Sequence, residues 1–333
     1  MKSILLSDYV GVPQGVYQRE TLDLLHEEAD LERTCLTSRD IRNHPERYRE
    51  VRYMFSTWGC PAFSEEELRE LLPSLECLFY AAGSVQEFAR PYLRRGVRIF
   101  SAWGANGIPV AEYTTAQILL ANKGFFVTSR YASRGDRKTA QDAVAQFCGN
   151  YDVNVGIIGA GMIGKLVIRM LQGHKVNVWV FDPFLPDAQA AELGVRKCEL
   201  PFLFENCRTV SNHLANNAAT QGMLNGALFE KMMPYATFIN TGRGAQVVEG
   251  DLIRVLIDRP DLTAVLDVTF PEPPVEGSPL YALENCILTP HIAGSIGNEW
   301  HRMSVYMREE YLRYISGEKC LYEVTEAMLQ TMA

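Results

Sequence analysis

Residues 153–171, VNVGIIGAGMIGKLVIRML, constrain this chain more than any other stretch. An apolar β-rich run breaks at Gly159, Gly161 and Gly164 and resumes as an amphipathic helix. Each glycine answers a separate demand of a strand that turns directly into a helix. Gly159 allows the tight turn, Gly161 lets backbone approach a diphosphate, and Gly164 lets helix pack on strand. Parallel strands need crossover connections, so a strand–loop–helix unit of this kind implies an α/β fold. The helix amino terminus adds unpaired N–H groups and a positive dipole end, which together suit an anion. Glycine turns alone are common; the strand before and the helix after make this one a dinucleotide site.

At 333 residues the chain exceeds one ordinary core and suits two domains of about 150 residues each. Residues 1–104 alternate β-rich runs (SILLSDY, TCLTS, VRYMFSTWG, LECLFYAAGS, VRIFSAWG) with helical ones. SEEELRELL carries a capping box, Ser64 with Glu67, and QEFARPYLRRG stops on a glycine. PVAEYTTAQILLANKGFF, residues 109–126, reads as one long helix. A second alternation follows, with strands VNVGIIG, VNVWVFD, RTVSNH, ATFINTG, TAVLDV and CILTPH. They end at or near Gly159, Asp182, His213, Arg243, Asp267 and His291. Ligands of open parallel sheets bind outside the carboxyl ends of the strands, so six such endings make a site. NEWHRMSVYMREEYLRYISG then reads as a helix with a Glu309–Arg313 pair and a Gly317 stop.

Asp182 ends the strand after the glycine loop, where an acid accepts hydrogen bonds from ribose hydroxyls. It repels a 2′-phosphate, and DPFLPD supplies no arginine, so NAD is expected rather than NADP. Arg243, between Gly242 and Gly244, presents a planar fork suited to a carboxylate and a neighbouring carbonyl oxygen. A buried structural arginine would need an acidic partner, and none lies close in sequence before Glu249. His291 ends LTPH, and its proton can move near neutral pH, as hydride transfer to or from a carbonyl requires. A lone histidine is more often structural; Glu272, in FPEPP, could hold the second ring nitrogen and aim the first.

GAGMIG with Asp182, INTGRG, LDVTFPEPP and LTPHIAGS, in this order, resemble the signatures of the D-isomer-specific 2-hydroxyacid dehydrogenase family. The resemblance covers nearly the whole chain. It implies an Arg–Glu–His catalytic set, matched by Arg243, Glu272 and His291. It implies a cofactor set of Gly159, Gly161, Met162, Ile163, Gly164, Asp182, His213, Thr241, Arg243, Asp267 and Gly294, with Asp267 at the nicotinamide carboxamide. Gly83 and Ser84 would hold a substrate carboxylate through backbone N–H groups. The implied architecture is two doubly wound parallel-sheet domains, a Rossmann NAD-binding domain (105–294) inserted in a flavodoxin-like substrate domain (1–104 and 295–333). A homodimer through the cofactor domain, around the long helix near residue 109, is also implied.

Departures from the family pattern bear on substrate. HLANN at 213–217 replaces the commoner H-x-P-L-T, Val248 replaces Asp or Asn, and Phe270 and Pro271 replace acids. Trp58, Cys60 and Trp300 are candidates for contacting the substrate side chain, with ordinary packing the competing account. Glu272 points to 2-oxo acid chemistry, since the formate dehydrogenase branch pairs its histidine with glutamine. The reading is an NAD-dependent D-2-hydroxyacid dehydrogenase acting on a small 2-oxo or 2-hydroxy acid. The alternative is an NAD-sensing scaffold like the corepressors of this fold.

A net charge of -8 and a pI near 5.4 argue against a broad electrostatic footprint for nucleic acid or an anionic membrane. The one basic cluster, Arg90, Arg94, Arg95 and Arg98, reads as a solvated helix end. The amino terminus lacks a signal-peptide core, and no apolar run approaches the roughly 20 residues of a membrane span. Eight scattered cysteines, without CxxC or metal-ligand spacing, read as reduced thiols of a cytoplasmic protein without a metal.

Overall fold

The computed structural model describes residues 2–330 except Val10, so residues 331–333 of the expected carboxyl-terminal return lie outside the described residues. Its first unit comprises residues 1–107 and 295–333, its second residues 108–294.

The first unit contains β1 (Ser3–Leu6), β2 (Leu31–Leu36), β3 (Tyr53–Ser56), β4 (Cys77–Tyr80) and β5 (Arg98–Ser101). Every residue of β1, β3 and β4 is buried, as expected for parallel strands covered on both faces. The order β2-β1-β3-β4-β5 is parallel throughout, with the short strand Glu323–Val324 antiparallel to β5. This is the flavodoxin-like order, whose topological switch point lies between β1 and β3. Alternation sorts the strands into two cores: Ile4, Leu6, Met54 and Leu78 face one layer, and Leu5, Phe55, Phe79 and Phe100 the other.

Phe55, Phe79 and Phe100 are register neighbours on adjacent strands and stack at 5.2 and 4.9 Å. Tyr311 meets Phe55 and Phe79 edge-on, 5.6 Å from each. Such pairs contribute about 0.5–1.5 kcal/mol each beyond area burial. Tyr311 belongs to the helix Glu299–Ile315, so the end of the chain completes a core that its beginning opens. Glu310 on that helix is fully buried, offset by Arg313 at 2.7 Å and the N–H groups of Leu321 and Tyr322. The Glu309–Arg313 pair is present at 3.4 Å, and Gly317 adopts φ 70 just after the helix. Ser64 and Glu67 form the capping box of the helix Glu65–Leu71. Of the basic cluster, Arg94 faces Glu65 and Arg98 pairs with Glu323.

The second unit carries β6 (Tyr151–Ile158), β7 (Lys175–Phe181), β8 (Arg196–Lys197), β9 (Thr209–Asn212), β10 (Thr237–Asn240), β11 (Thr263–Leu266) and β12 (Cys286–Leu288). They form an all-parallel sheet in the order β8-β7-β6-β9-β10-β11-β12. This is the Rossmann order extended by one strand, with its switch point between β6 and β9. The six expected strands are all there; β8, two residues long, has no period from which to read it.

The expected single helix over 109–126 is two helices, Trp103–Asn122 and Phe125–Ser133. Gly124 separates them at φ 72, where a Cβ would overlap the Phe147 ring. The earlier start escapes a propensity reading because Gly104 and Gly107 fall in its first two turns. Among the described residues no helix is long and apolar enough to cross a membrane.

Candidate active site

The glycine loop sits between the end of β6 and the helix Met162–Leu171. Gly159 has φ 88, and a Cβ there would lie 2.9 Å from the His213 carbonyl oxygen. A Cβ on Gly164 would overlap the Gly159 carbonyl oxygen. A Cβ on Gly161 would meet nothing within 4 Å, so this glycine faces open space. The N–H groups of Gly161, Met162 and Ile163 donate to no protein acceptor among the described residues. Three free donors, an open backbone and a helix amino terminus fit a diphosphate.

Asp182 anchors the loop: one carboxylate oxygen accepts from Ala160 N (2.7 Å), the other from Phe184 N (2.8 Å). A carboxylate has about four lone-pair sites, so capacity remains for hydroxyl donors. His213 N donates to the Ile158 carbonyl at 2.7 Å, holding the β9 end beside the loop. Its Nε2 lies 2.9 Å from Ser211 Oγ, and burial pushes its pKa down to about 4. His213 is therefore neutral near pH 7. Thr241 is buried, its hydroxyl 3.0 Å from that of Thr114.

Arg243 follows β10 on a turn that three buried amides hold. Asn212 Nδ2 donates to Asn240 Oδ1 (3.0 Å) and Gln246 Oε1 (2.6 Å), while Asn212 Oδ1 accepts from Leu214 N (3.2 Å). Asn240 also accepts from Gly242 N (3.1 Å) and donates to the Arg243 carbonyl (3.2 Å). Gln246 accepts from Arg243 N (3.2 Å) and donates to the Leu214 and Ala215 carbonyls (2.8 and 2.9 Å). The web ties the Arg243 turn to the HLANN loop, and each of the three amides is nearly or fully buried. Sequence reasoning missed it. Its trace is an asparagine, Asn212 or Asn240, at the last position of each of two adjacent strands.

The Arg243 guanidinium has no ion-pair partner among the described residues; Nη1 donates to its neighbour's carbonyl, Gly242 O, at 2.8 Å. Burial lowers its pKa, and the nearby Glu272 charge opposes that shift. An arginine held in this way keeps most of its donor fork for a ligand.

His291 Nδ1 lies 2.6 Å from Glu272 Oε1, with side chains 46% and 41% exposed. Exposed pairs add only about 0–1 kcal/mol to stability, so folding gives little reason for this one. His291 sits at φ 56, a region costly for side chains other than glycine. Asp267, nearly fully buried, holds that conformation. It accepts from Thr289 Oγ1 (2.6 Å), Ile292 N (2.8 Å) and Ala293 N (2.9 Å), and its carbonyl from His291 N (3.1 Å). Asp267, expected only at the carboxamide, is thus also the brace of the His291 loop. Gly294 closes that loop as the last residue of the second unit.

In the first unit, Gly83 and Ser84 follow β4. The N–H groups of Gly83, Ser84 and Val85 donate to no protein acceptor among the described residues, and Val85 was not foreseen. Asn106 Nδ2 would lie 3.3 Å from a Cβ on Gly83, and its Oδ1 accepts from Ser295 N. Trp58 and Trp300 meet edge-to-face at 5.8 Å. Cys60 packs against the core, and burial pushes its thiol up to about 12.

A family model described as D-isomer specific 2-hydroxyacid dehydrogenase, NAD binding domain, matches residues 116–293, more than half of the chain. The chain belongs to the D-isomer-specific 2-hydroxyacid dehydrogenase family. The match covers the glycine loop, Asp182, Arg243, Glu272 and His291, and NAD is the family domain's cofactor. Among curated dehydrogenases of similar sequence, the D-3-phosphoglycerate dehydrogenase of Archaeoglobus fulgidus is 27% identical over 67% of this chain. The chain spans only 42% of that relative's length. The (S)-sulfolactate dehydrogenase of Chromohalobacter salexigens is 29% identical over 83% of this chain and 90% of the relative. D-mandelate dehydrogenase of Rhodotorula graminis, in its apo form, superposes with a TM-score of 0.79 at 20% identity, covering 97% of each chain. A phosphoglycerate oxidoreductase from Rhizobium etli gives the same TM-score at 19% identity, covering 98% of this chain and 99% of that one. These two solved structures establish a shared fold for this dehydrogenase family member.

Proposed function

We propose that this chain is an NAD-dependent D-2-hydroxyacid dehydrogenase that interconverts a 2-oxo acid and its D-2-hydroxy acid. The observation that carries the reading is the short, exposed His291–Glu272 hydrogen bond at the carboxyl edge of the sheet bearing the glycine loop. Glu272 holds Nδ1, so the opposite nitrogen, Nε2, gives a proton to the carbonyl oxygen in reduction and takes it back in oxidation. Arg243 takes the substrate carboxylate and the adjacent carbonyl oxygen through its fork, polarising the carbonyl. The free N–H groups of Gly83, Ser84 and Val85, in the first unit, suit a carboxylate. Gly161, Met162 and Ile163 hold the diphosphate, and Asp182 takes the ribose hydroxyls. Thr241, Asp267, Gly294 and the neutral His213 complete the cofactor set. NAD, when bound, accepts or supplies the hydride at the substrate's C2.

Relatives named for phosphoglycerate, glyoxylate and sulfolactate support the 2-hydroxy acid class without choosing among its members. The test follows NADH absorbance with a panel of 2-oxo acids. His291→Ala is expected to lower kcat by about 10² to 10⁴, and a variant at wild-type turnover would refute the assignment. No turnover by the wild type on any acid would favour the NAD-sensing scaffold instead. By the same reading the protein is a cytoplasmic homodimer paired through the cofactor domain, which light scattering checks.

A further inference from the structure

We propose that the first unit selects 2-oxo acids with an uncharged apolar or aromatic side chain, received at β1 and β3 by Trp58, Trp300 and Tyr9. This inference rests on the 2-oxo acid reading above and narrows its substrate class.

Ligands of doubly wound sheets bind at the topological switch point, here between β1 and β3. Tyr9 and Trp58 stand on the loops that leave those two strands. Trp58 packs against the cores on both faces of the sheet, which places it over the strand ends rather than within one layer. Trp300, from the first turn of the helix Glu299–Ile315, meets Trp58 at 5.8 Å and lies on Gly15, where a Cβ would be 2.8 Å from its ring. The Trp300 indole N–H is spent on the Ser295 carbonyl at 2.7 Å, leaving that ring nothing but apolar surface to offer. Tyr9 is 59% exposed and rests against Gly59, the neighbour of Trp58. The free N–H groups of Gly83, Ser84 and Val85 follow β4, the next strand, about 5 Å across the sheet from β3. A carboxylate there leaves the rest of a small acid within reach of the two indoles.

Charge points the same way. Residues 7–11, 57–64, 81–88, 102–107 and 295–301 contain no lysine or arginine and one histidine, His301, against Asp8, Glu87 and Glu299. Arg302 lies about 200° around its helix from Trp300. Arg39 is exposed on the helix after β2, the strand beside β1, about 10 Å across the sheet from β3. A phosphate or sulfonate on the substrate would lose hydration among these residues and face three carboxylates, with no lysine or arginine in the same segments.

The experiment compares kcat/KM with NADH for phenylpyruvate, glyoxylate and 3-phosphohydroxypyruvate, on the wild type, Trp300→Ala and Trp300→Phe. Wild type is expected to prefer phenylpyruvate over each of the others by about tenfold or more. Trp300→Ala should cut the phenylpyruvate-to-glyoxylate ratio about tenfold, and Trp300→Phe should restore part of it. If 3-phosphohydroxypyruvate or glyoxylate equals or exceeds phenylpyruvate, the inference is overturned and the dehydrogenase reading stands. A ratio unmoved in both variants also overturns it. Turnover of no acid at all overturns the dehydrogenase reading, and this inference with it. Should Trp300→Ala fail to fold, the wild-type panel and Trp300→Phe still decide.

Discussion

Two alanines three residues apart should have opposite effects. Gly161 has φ -65 and ψ -162, ordinary extended backbone for any residue, and a Cβ there meets nothing within 4 Å. Gly161→Ala should therefore fold as well as the wild type, with Tm within about 4 °C, since trading glycine for alanine at a compatible site stabilises by only about 0.4–1 kcal/mol. On the proposed cofactor site, the added methyl would stand in the open space beside the three free N–H groups, where a diphosphate is expected. NADH affinity should fall at least about tenfold, or about 1.4 kcal/mol. Gly164→Ala drives its methyl into the Gly159 carbonyl oxygen, so the loop or the helix must shift. Overpacking of that kind costs about 1–3 kcal/mol, and in a unit of this size each kcal/mol lowers Tm by about 2–4 °C. A loss of about 2–12 °C is expected. Thermal unfolding followed by titration of NADH fluorescence reads both effects on the same samples. The reasoning fails if Gly164→Ala keeps the wild-type Tm, or if Gly161→Ala binds NADH with unchanged affinity.

The buried amide web makes Asn212→Leu costly. Asn240 and Gln246 each lose a donor and Leu214 N–H loses its acceptor, so urea unfolding should show a loss of about 3 kcal/mol. With the Arg243 turn loosened, KM for the 2-oxo acid should rise more than Kd for NADH; a stability loss below about 1 kcal/mol would count against the web. His213 gives a pH signature. Its folded pKa is about 4 against about 6.5 unfolded, so its contribution is whole above pH 6.5 and is lost as pH falls toward 4. That component amounts to at most about 3 kcal/mol; His213→Gln should flatten the acid limb of stability measured by urea melts between pH 4 and 7, and an unchanged slope would contradict it. Asp182→Ala should raise the NADPH-to-NADH ratio of kcat/KM about tenfold or more and also lower Tm, because Ala160 N and Phe184 N lose their acceptor; a fixed ratio would remove Asp182 from the ribose site.

Much of the architecture and the chemistry is legible along the chain, because both rest on local rules. Strand VNVGII, its glycine turn and the helix after it obey short-range sterics, so their order in the fold follows from their order in sequence. Arg243 and His291 stand just past β10 and β12, and Glu272 lies in the FPEPP loop beyond β11, so only residue type and family resemblance single them out in the sequence. The helix around Pro109 departs from its local pattern: Gly104 and Gly107 lie in its first turns, and Gly124, at which it gives way to the next helix, packs on Phe147, a tertiary neighbour.

Local sequence therefore determined the parallel α/β fold, the glycine loop and the types of side chain available for hydride chemistry. Tertiary structure decided which of them meet. Asp267 acts as brace of the left-handed His291 loop because the three-dimensional path of β11 and β12 brings its carboxylate under residues 289–293. Asn212 and Gln246 become partners only when β9 and β10 lie side by side. Trp58 and Trp300, from opposite ends of the chain, come together because the last helix returns to the first sheet. Side-chain direction follows from packing, and packing involves residues far apart in sequence; no local pattern encodes it.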